Sequence, residues 1–288
     1  MLDTFVISPS RRRIAEFDLL RPNTVKGVCG LLGEKGAVLH AGGIDLVNLM
    51  KAGLQPKKLI TLSGVSEMRE IRVDRTNLLI GPSCTHWQIE NDPLLKALMP
   101  EVARYVSGLG NVRIRAQGTI GGNIMAGMHV YEMLPLLMAL DAEFDFVDTR
   151  QMLHTVRART ASPLLIAQHR AHLLASIKIP LQRKRVTWDR SLRPVVGLVA
   201  SSTWNGNTVV SAGAVVNGDG VPPSWREVPL EGMGRVLVRA QTAELVTRWS
   251  NSLPAMEPAS GASGEYCHRV AGVMAQRALL RMTEEAHV

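Results

Sequence analysis

The sequence predicts an α+β protein in two unequal parts, and three observations carry that expectation. Up to Pro180, short apolar runs alternate with amphipathic stretches and glycine-bearing turns, the pattern of small sheets interleaved with helices. Beyond it, residues 195–202 and 208–216 are β-branched runs joined by Asn205-Gly206-Asn207, and Asn-Gly between apolar runs is a strong hairpin signal. Residues 264–282 then supply a closing helix to lie on those antiparallel strands.

Residues 1–16 read as a loose basic leader, and 17–22 as a short extended segment ended by Pro22. Thr24 is placed to cap a helix reaching Leu32, with Val28, Leu31 and Leu32 on one face and Gly33 as the stop. Residues 37–40 form a strand that enters a turn of small residues, Ala41-Gly42-Gly43-Ile44-Asp45. The helix after it carries Leu46, Val47, Leu49 and Met50 and begins near Asp45, presenting free N–H groups and a positive dipole to an anion. Strands are expected at 59–62 and 78–81, joined by an exposed, charge-mixed connection. Thr85 and His86 open a helix to Asn91, and one helical stretch covers 93–106. Cys84 and His86 lack further ligands at zinc-type spacing, so capping or core packing is their expected role.

A second glycine stretch, Thr119-Ile120-Gly121-Gly122-Asn123, follows the basic run Arg113-Ile114-Arg115. Residues 134–140 read as an apolar helix packing below it, and 144–147 as a strand. Residues 149–172 are rich in Arg and His without periodicity, and His169 and His172 read as surface side chains. Residues 173–180 alternate as a strand stopped by Pro180, where the domain boundary falls, ahead of a basic stretch at 182–193. After the hairpin come proline-rich loops, a helix at 242–251 and the last helix, with Tyr266, Val270, Val273 and Leu280 on one face.

With 288 residues, 46% of them hydrophobic and 20% charged, the chain can bury a large core over two domains. No apolar run approaches the ~20 residues of a membrane span, and the first ten residues do not read as a secretory signal. Cys29, Cys84 and Cys267 are too scattered for a disulfide framework or a metal motif, which fits a reducing cytoplasm. The net charge of +8 is spread, with local clusters at Arg11-Arg12-Arg13 and Arg183-Lys184-Arg185. Twelve aromatic residues form no stacking platform, so a basic face docking an acidic partner is expected, and not nucleic-acid binding.

Each glycine stretch can line up successive N–H groups into a concavity suited to phosphate oxygens, with Thr119 and Asn123 adding side-chain bonds. Each is equally a tight turn when taken alone. Together they could hold a diphosphate from two sides. No nucleophile elbow, zinc helix, P-loop or dinucleotide fingerprint occurs, and no cysteine set could hold an iron–sulfur cluster. No catalytic residue and no metal ligand is therefore assigned, which suits a protein whose bound cofactor carries the chemistry.

With both stretches in place, the chain resembles the FAD-binding medium subunit of the molybdenum hydroxylases, the carbon monoxide dehydrogenase and xanthine dehydrogenase family. The likeness runs from Phe17 to Met282. It includes Asp92-Pro93-Leu94-Leu95, Asn111-Val112-Arg113, residues 134–142, Ile177-Lys178-Ile179-Pro180, Ala212-Gly213-Ala214-Val215 and Ala262-Ser263-Gly264-Glu265-Tyr266. The resemblance implies a two-subdomain FAD-binding domain of the vanillyl-alcohol-oxidase (PCMH) type at 17–180, divided near 57/58. An α+β domain of antiparallel sheet and helices follows at 181–288.

The resemblance further implies that FAD lies between the subdomains, with Ala41, Gly42, Gly43, Ile44, Asp45, Thr119, Ile120, Gly121, Gly122 and Asn123 at its diphosphate. Glu132 stands where relatives have an aspartate near the flavin, and Leu173 is the implied apolar flavin contact. Departures fall at His172-Leu173-Leu174, at a shortened loop before it and at Tyr266-Cys267-His268-Arg269. The implied partners are a large subunit with the molybdopterin cofactor and a small subunit with two [2Fe-2S] clusters, in a dimer of heterotrimers in the cytoplasm. Electrons would pass from the clusters through FAD to an external acceptor. The rivals are a self-contained flavin oxidase on this fold and a flavin-less interaction subunit.

Overall fold

The computed structural model describes residues 14–161, 171–182, 184–190, 195–205, 208–228, 244, 247–249, 251–253, 256–258 and 261–284. Residues 1–13 of the expected leader, His169, the Gly206-Asn207 turn, most of the expected 242–251 helix and the side chain of Leu280 lie outside the described residues.

Among the described residues, three sheets organise the chain. The first is parallel, in the order β1-β3-β2, from β1 (Asp18–Leu20), β2 (Ala37–His40) and β3 (Lys58–Thr61). Parallel neighbours need crossover connections, and α1 (Val25–Leu32) and α2 (Ile44–Lys51) supply them. Thr24 caps α1 by accepting from the Gly27 N–H at 3.1 Å, and Gly33 ends it. Its fully buried residues are Val28 and Cys29, with Leu31 and Leu32 only partly covered. β3, just past residue 57, is the central strand here, so the chain runs with this sheet to Thr61.

The second sheet is antiparallel, in the order β4-β5-β8-β6-β7. Its strands are β4 (Ile71–Val73), β5 (Asn77–Ile80), β6 (Glu143–Val147), β7 (Leu153–Arg157) and β8 (Leu173–Pro180). The sequence did not show β4 or β7. Both are edge strands with mostly exposed side chains, so neither carries the apolar alternation of a half-buried strand.

Between β5 and β6 the chain forms six helices: α3 (His86–Asn91), α4 (Pro93–Leu98), α5 (Pro100–Ser107), α6 (Val112–Gln117), α7 (Ile120–Met125) and α8 (Met133–Ala139). The helical stretch expected at 93–106 breaks at Met99, which takes φ −143° and ψ 63°. Pro100 crowds the residue before it out of the helical region and then serves as the first residue of α5. α6 is a further helix not foreseen, capped by Asn111.

The third sheet is antiparallel, in the order β12-β11-β10-β9, from β9 (Lys184–Arg190), β10 (Val196–Asn205), β11 (Thr208–Gly218) and β12 (Val221–Glu227). The basic stretch is in fact β9, whose charged side chains are paired: Lys184 is almost fully buried against Asp141, and Arg190 reaches Glu132. The proline-rich segment is β12, an edge strand that can accept Pro222 and Pro223.

Both faces of this sheet are covered. Val186, Val199 and Val215 join the core that includes α8, while Leu198, Ala200, Ala214 and Val216 face the closing helix α9 (Gly264–Glu284). The buried stripe of α9 is Cys267, Ala271, Met274, Ala278 and Met282; Tyr266 and Val273, expected there, are exposed. Small residues and methionines let the helix lie close to the sheet.

Candidate functional site

A groove of about 600 Å³ opens between the first sheet with α2 and the body carrying the second sheet. One wall is the turn that follows β2. Gly43 sits there in the left-handed region at φ 77°, a conformation that disfavours any side chain, and offers α2 no side-chain cap. The first N–H groups of α2 have no partner within the helix either, so they are available to a ligand. Gly42 is needed for a different reason. A Cβ there would overlap the Gln117 carbonyl oxygen, so the first glycine turn rests directly on the backbone that leads into the second stretch.

The opposite elements contribute Leu62, Ser63 and Arg69 from the segment after β3, Ser83 and Thr85 from the turn after β5, and Ala116, Gln117 and Thr119. A bridge between Thr85 and Thr119 joins the last two segments, with the Ile120 N–H donating to Cys84 O at 3.0 Å and the His86 N–H to Gly118 O at 2.9 Å. Among the described residues no carboxylate lines the groove, whereas Arg69 and His40 do. Open helix N–H groups, a guanidinium and the absence of acidic groups from the wall make an environment for an anion.

The two glycine stretches are brought together, but they do different things. Residues 120–123 are the first turn of α7, not a nest of free donors. The N–H groups of Ile120, Gly121 and Asn123 donate to Cys84 O, Pro82 O and Thr119 O. That of Gly122 donates to Thr119 Oγ1 at 3.0 Å. Asn123 Oδ1 accepts from the Met133 N–H at 3.3 Å. Of these five residues only Thr119 lines the groove, and neither Gly121 nor Gly122 uses a positive φ. The second stretch braces the wall that the first stretch faces.

The remaining expected site residues lie off the groove lining. Asp45 Oδ1 accepts from the Tyr131 hydroxyl at 2.5 Å, and burial first, then that bond, pushes the phenol up. Glu132 Oε1 accepts from Arg190 Nη1 at 3.1 Å, and its carbonyl accepts from the Tyr105 hydroxyl at 2.9 Å. Burial raises the Glu132 carboxyl and Arg190 opposes the rise. Leu173 is buried in the core of the first sheet among Val28, Ile60 and Val65.

Cys84 and His86 are packed, as capping and core roles require. Burial pushes the Cys84 thiol up to about 12, and burial then Arg115 push the His86 imidazole down to about 4, so both are neutral near pH 7. Sequence reasoning missed His40, Arg69 and Ser83. They come from three separate segments, and no local pattern marks them as neighbours.

The profile of a family described as "FAD binding domain in molybdopterin dehydrogenase" matches residues 15–182. The carbon monoxide dehydrogenase medium chain of Afipia carboxidovorans is 27% identical over 287 residues, covering 94% of this chain and 98% of that one. Caffeine dehydrogenase subunit beta of a Pseudomonas sp. is 23% identical over 177 residues, 60% of this chain and 60% of its own length. Among solved structures, carbon monoxide dehydrogenase from Hydrogenophaga pseudoflava superimposes with a TM-score of 0.82 at 21% identity, over 95% of this chain and 99% of that one. That likeness extends the shared fold through the third sheet.

Proposed function

The chain belongs to the family of FAD-binding domains of molybdopterin dehydrogenases, and on that premise we propose that it is the FAD-binding, electron-transferring subunit of a heteromeric molybdenum hydroxylase. The observation that carries the reading is the groove itself. Its volume of about 600 Å³ lies within the roughly 300–1,000 Å³ usual for cofactor sites. Gly43, in the left-handed region, gives the open end of α2 no side-chain cap, where a diphosphate is best held, and Gly42 lets this turn rest on the Gln117 carbonyl. Ala41, Gly42, Gly43, Ile44 and Thr119 line the groove and would hold it, with Arg69 balancing its charge. Residues 120–123, with Asp45, act from behind by fixing the wall. Glu132 and Leu173 act through the packing around the site.

When bound, FAD would supply the redox chemistry linking the [2Fe-2S] clusters of a small partner subunit to an external acceptor. Substrate oxidation belongs to a large partner with the molybdopterin cofactor. Relatives named as a medium chain and as a subunit beta support a multi-subunit assembly. Residues 17–180 form the flavin-binding part in this reading, and 181–288 the part that closes over α8.

The test is to co-express the chain with the products of its neighbouring genes, determine bound flavin, and add candidate substrates anaerobically. One FAD per chain is expected, with its visible absorption bleached only in the complete complex. A complex without flavin after added FAD would sink the reading. Bleaching of the isolated chain by a small organic substrate would favour the self-contained oxidase instead.

A further inference from the structure

Two buried polar atoms on separate elements of the groove have no protein partner. Ser83 is 4% exposed and its Oγ makes no hydrogen bond; His40 Nδ1 is likewise buried and unpaired. Both side chains line the groove. An unpaired buried polar group weakens the fold, and such groups in folded proteins are few and call for a specific use.

The turn that carries Ser83 does not depend on the hydroxyl. The Ser83 N–H donates to Met68 O at 2.8 Å, while the carbonyls of Pro82 and Cys84 accept the N–H groups of Gly121 and Ile120. Backbone bonds therefore hold the turn on both sides, and Oγ is spare. His40 is similar. Its carbonyl accepts the Leu62 N–H at 2.9 Å, and its ring lies against Gly43, where a Cβ would come within 2.9 Å of Nε2. Nδ1 is left over. A hydroxyl and an imidazole can each donate a hydrogen bond, and the wall they join already carries the open end of α2 and Arg69, with no carboxylate among the described residues. A ligand with several anionic oxygens would satisfy all of these donors at once.

We infer that Ser83 and His40 are ligand-binding residues that donate hydrogen bonds to the phosphate oxygens of the flavin dinucleotide, from elements that neither glycine stretch supplies. The inference rests on the groove being the FAD site. It gives Ser83 a signature opposite to that of a structural hydroxyl: its removal relieves an unpaired atom in the flavin-free protein and deletes a bond in the loaded one.

The experiment strips flavin from the full-length chain, in its complex, and measures both the Tm of the flavin-free protein and its Kd for FAD. Ser83→Ala should leave Tm unchanged or raised and weaken FAD by about 10- to 100-fold, the range for a hydrogen bond to a charged group. Ser83→Cys, nearly the same size with a poor donor, should lose comparable affinity without loss of Tm. His40→Phe keeps a ring against Gly43 and should weaken FAD by about tenfold. Wild-type affinity in the Ser83 variants, or a lowered Tm in flavin-free Ser83→Ala, overturns the inference. Wild-type protein that binds no FAD at all fails the reading of the groove itself, a result distinct from either.

Discussion

At the scale of single residues, the ionisation of His86 follows from its place beneath the groove wall. The ring is 3% exposed, and its backbone N–H donates to Gly118 O, next to the second glycine stretch. Its folded value of about 4 lies below the usual 6.5. The unfolded chain therefore takes up the proton first as pH falls, and stability is full above 6.5 and drops from there toward 4. His86→Gln should remove this dependence: between pH 7 and pH 4 the wild type should lose up to about 3 kcal/mol more than the variant. Urea midpoints at several pH values measure it, and parallel curves would mean that the ring is not held neutral. Function at this scale was half legible. Gly42 and Gly43 announce a close approach in the sequence. Ser83 and Arg69 do not, because a spare hydroxyl and a guanidinium acquire meaning only when the fold sets them on one wall.

At the scale of elements, the join between β9 and α8 concentrates the buried charge. Arg190 Nη1 reaches Glu132, Nη2 donates to Tyr105 O at 3.3 Å, and the guanidinium lies 5.3 Å from the Tyr105 ring centre. The Glu132 carboxyl is raised in the folded protein, burial outweighing Arg190. The folded state thus holds this proton more tightly than the unfolded chain, and the contribution of Glu132 worsens as pH climbs through the carboxylate range. Arg190→Met deletes the one influence that lowers this carboxyl, so a loss of about 3 kcal/mol is expected at pH 7, shrinking as the solution is acidified. Denaturant midpoints from pH 4.5 to 7.5 check it, and a loss independent of pH would assign the effect to packing alone. Elements with local signals were readable from sequence: Thr24 and Gly33 bound α1, and Asn205 precedes the turn between β10 and β11. Edge strands β4, β7 and β12 were not, since one-sided pairing asks nothing distinctive of their side chains. β9 was hidden because its charged residues are held by partners far away in sequence, Lys184 by Asp141 and Arg190 by Glu132.

At the scale of the whole molecule, the matched profile ends at residue 182, but the core does not. Val186, Val199 and Val215 of the third sheet are buried in the same cluster as Leu136, Leu137 and Phe144, with Trp188 and Trp225 packed against it. Ser201 Oγ, also buried, donates to Ala139 O at 2.6 Å near the end of α8, and Arg159 stacks over Trp225 at 3.9 Å. This sharing was invisible in the sequence because every contact joins residues far apart in the chain, whereas local texture changes sharply after Pro180. Removing the third sheet would uncover α8. What the fragment loses is the cover over Leu136, Leu137, Phe144 and their neighbours, at about 25 cal/mol per Å² of apolar surface newly exposed, out of the roughly 5–15 kcal/mol that holds a typical domain together. A chain ended after Pro180 should therefore fail to form a rigid monomer, although it keeps every groove-lining residue. Near-ultraviolet circular dichroism, gel filtration and binding of a hydrophobic dye distinguish the outcomes. A monodisperse, cooperatively unfolding fragment that still takes up FAD would show the flavin-binding part to be a folding unit in its own right, and the third sheet a cover. A loosely packed or aggregated one would show that the sheet completes the core on which the groove is built.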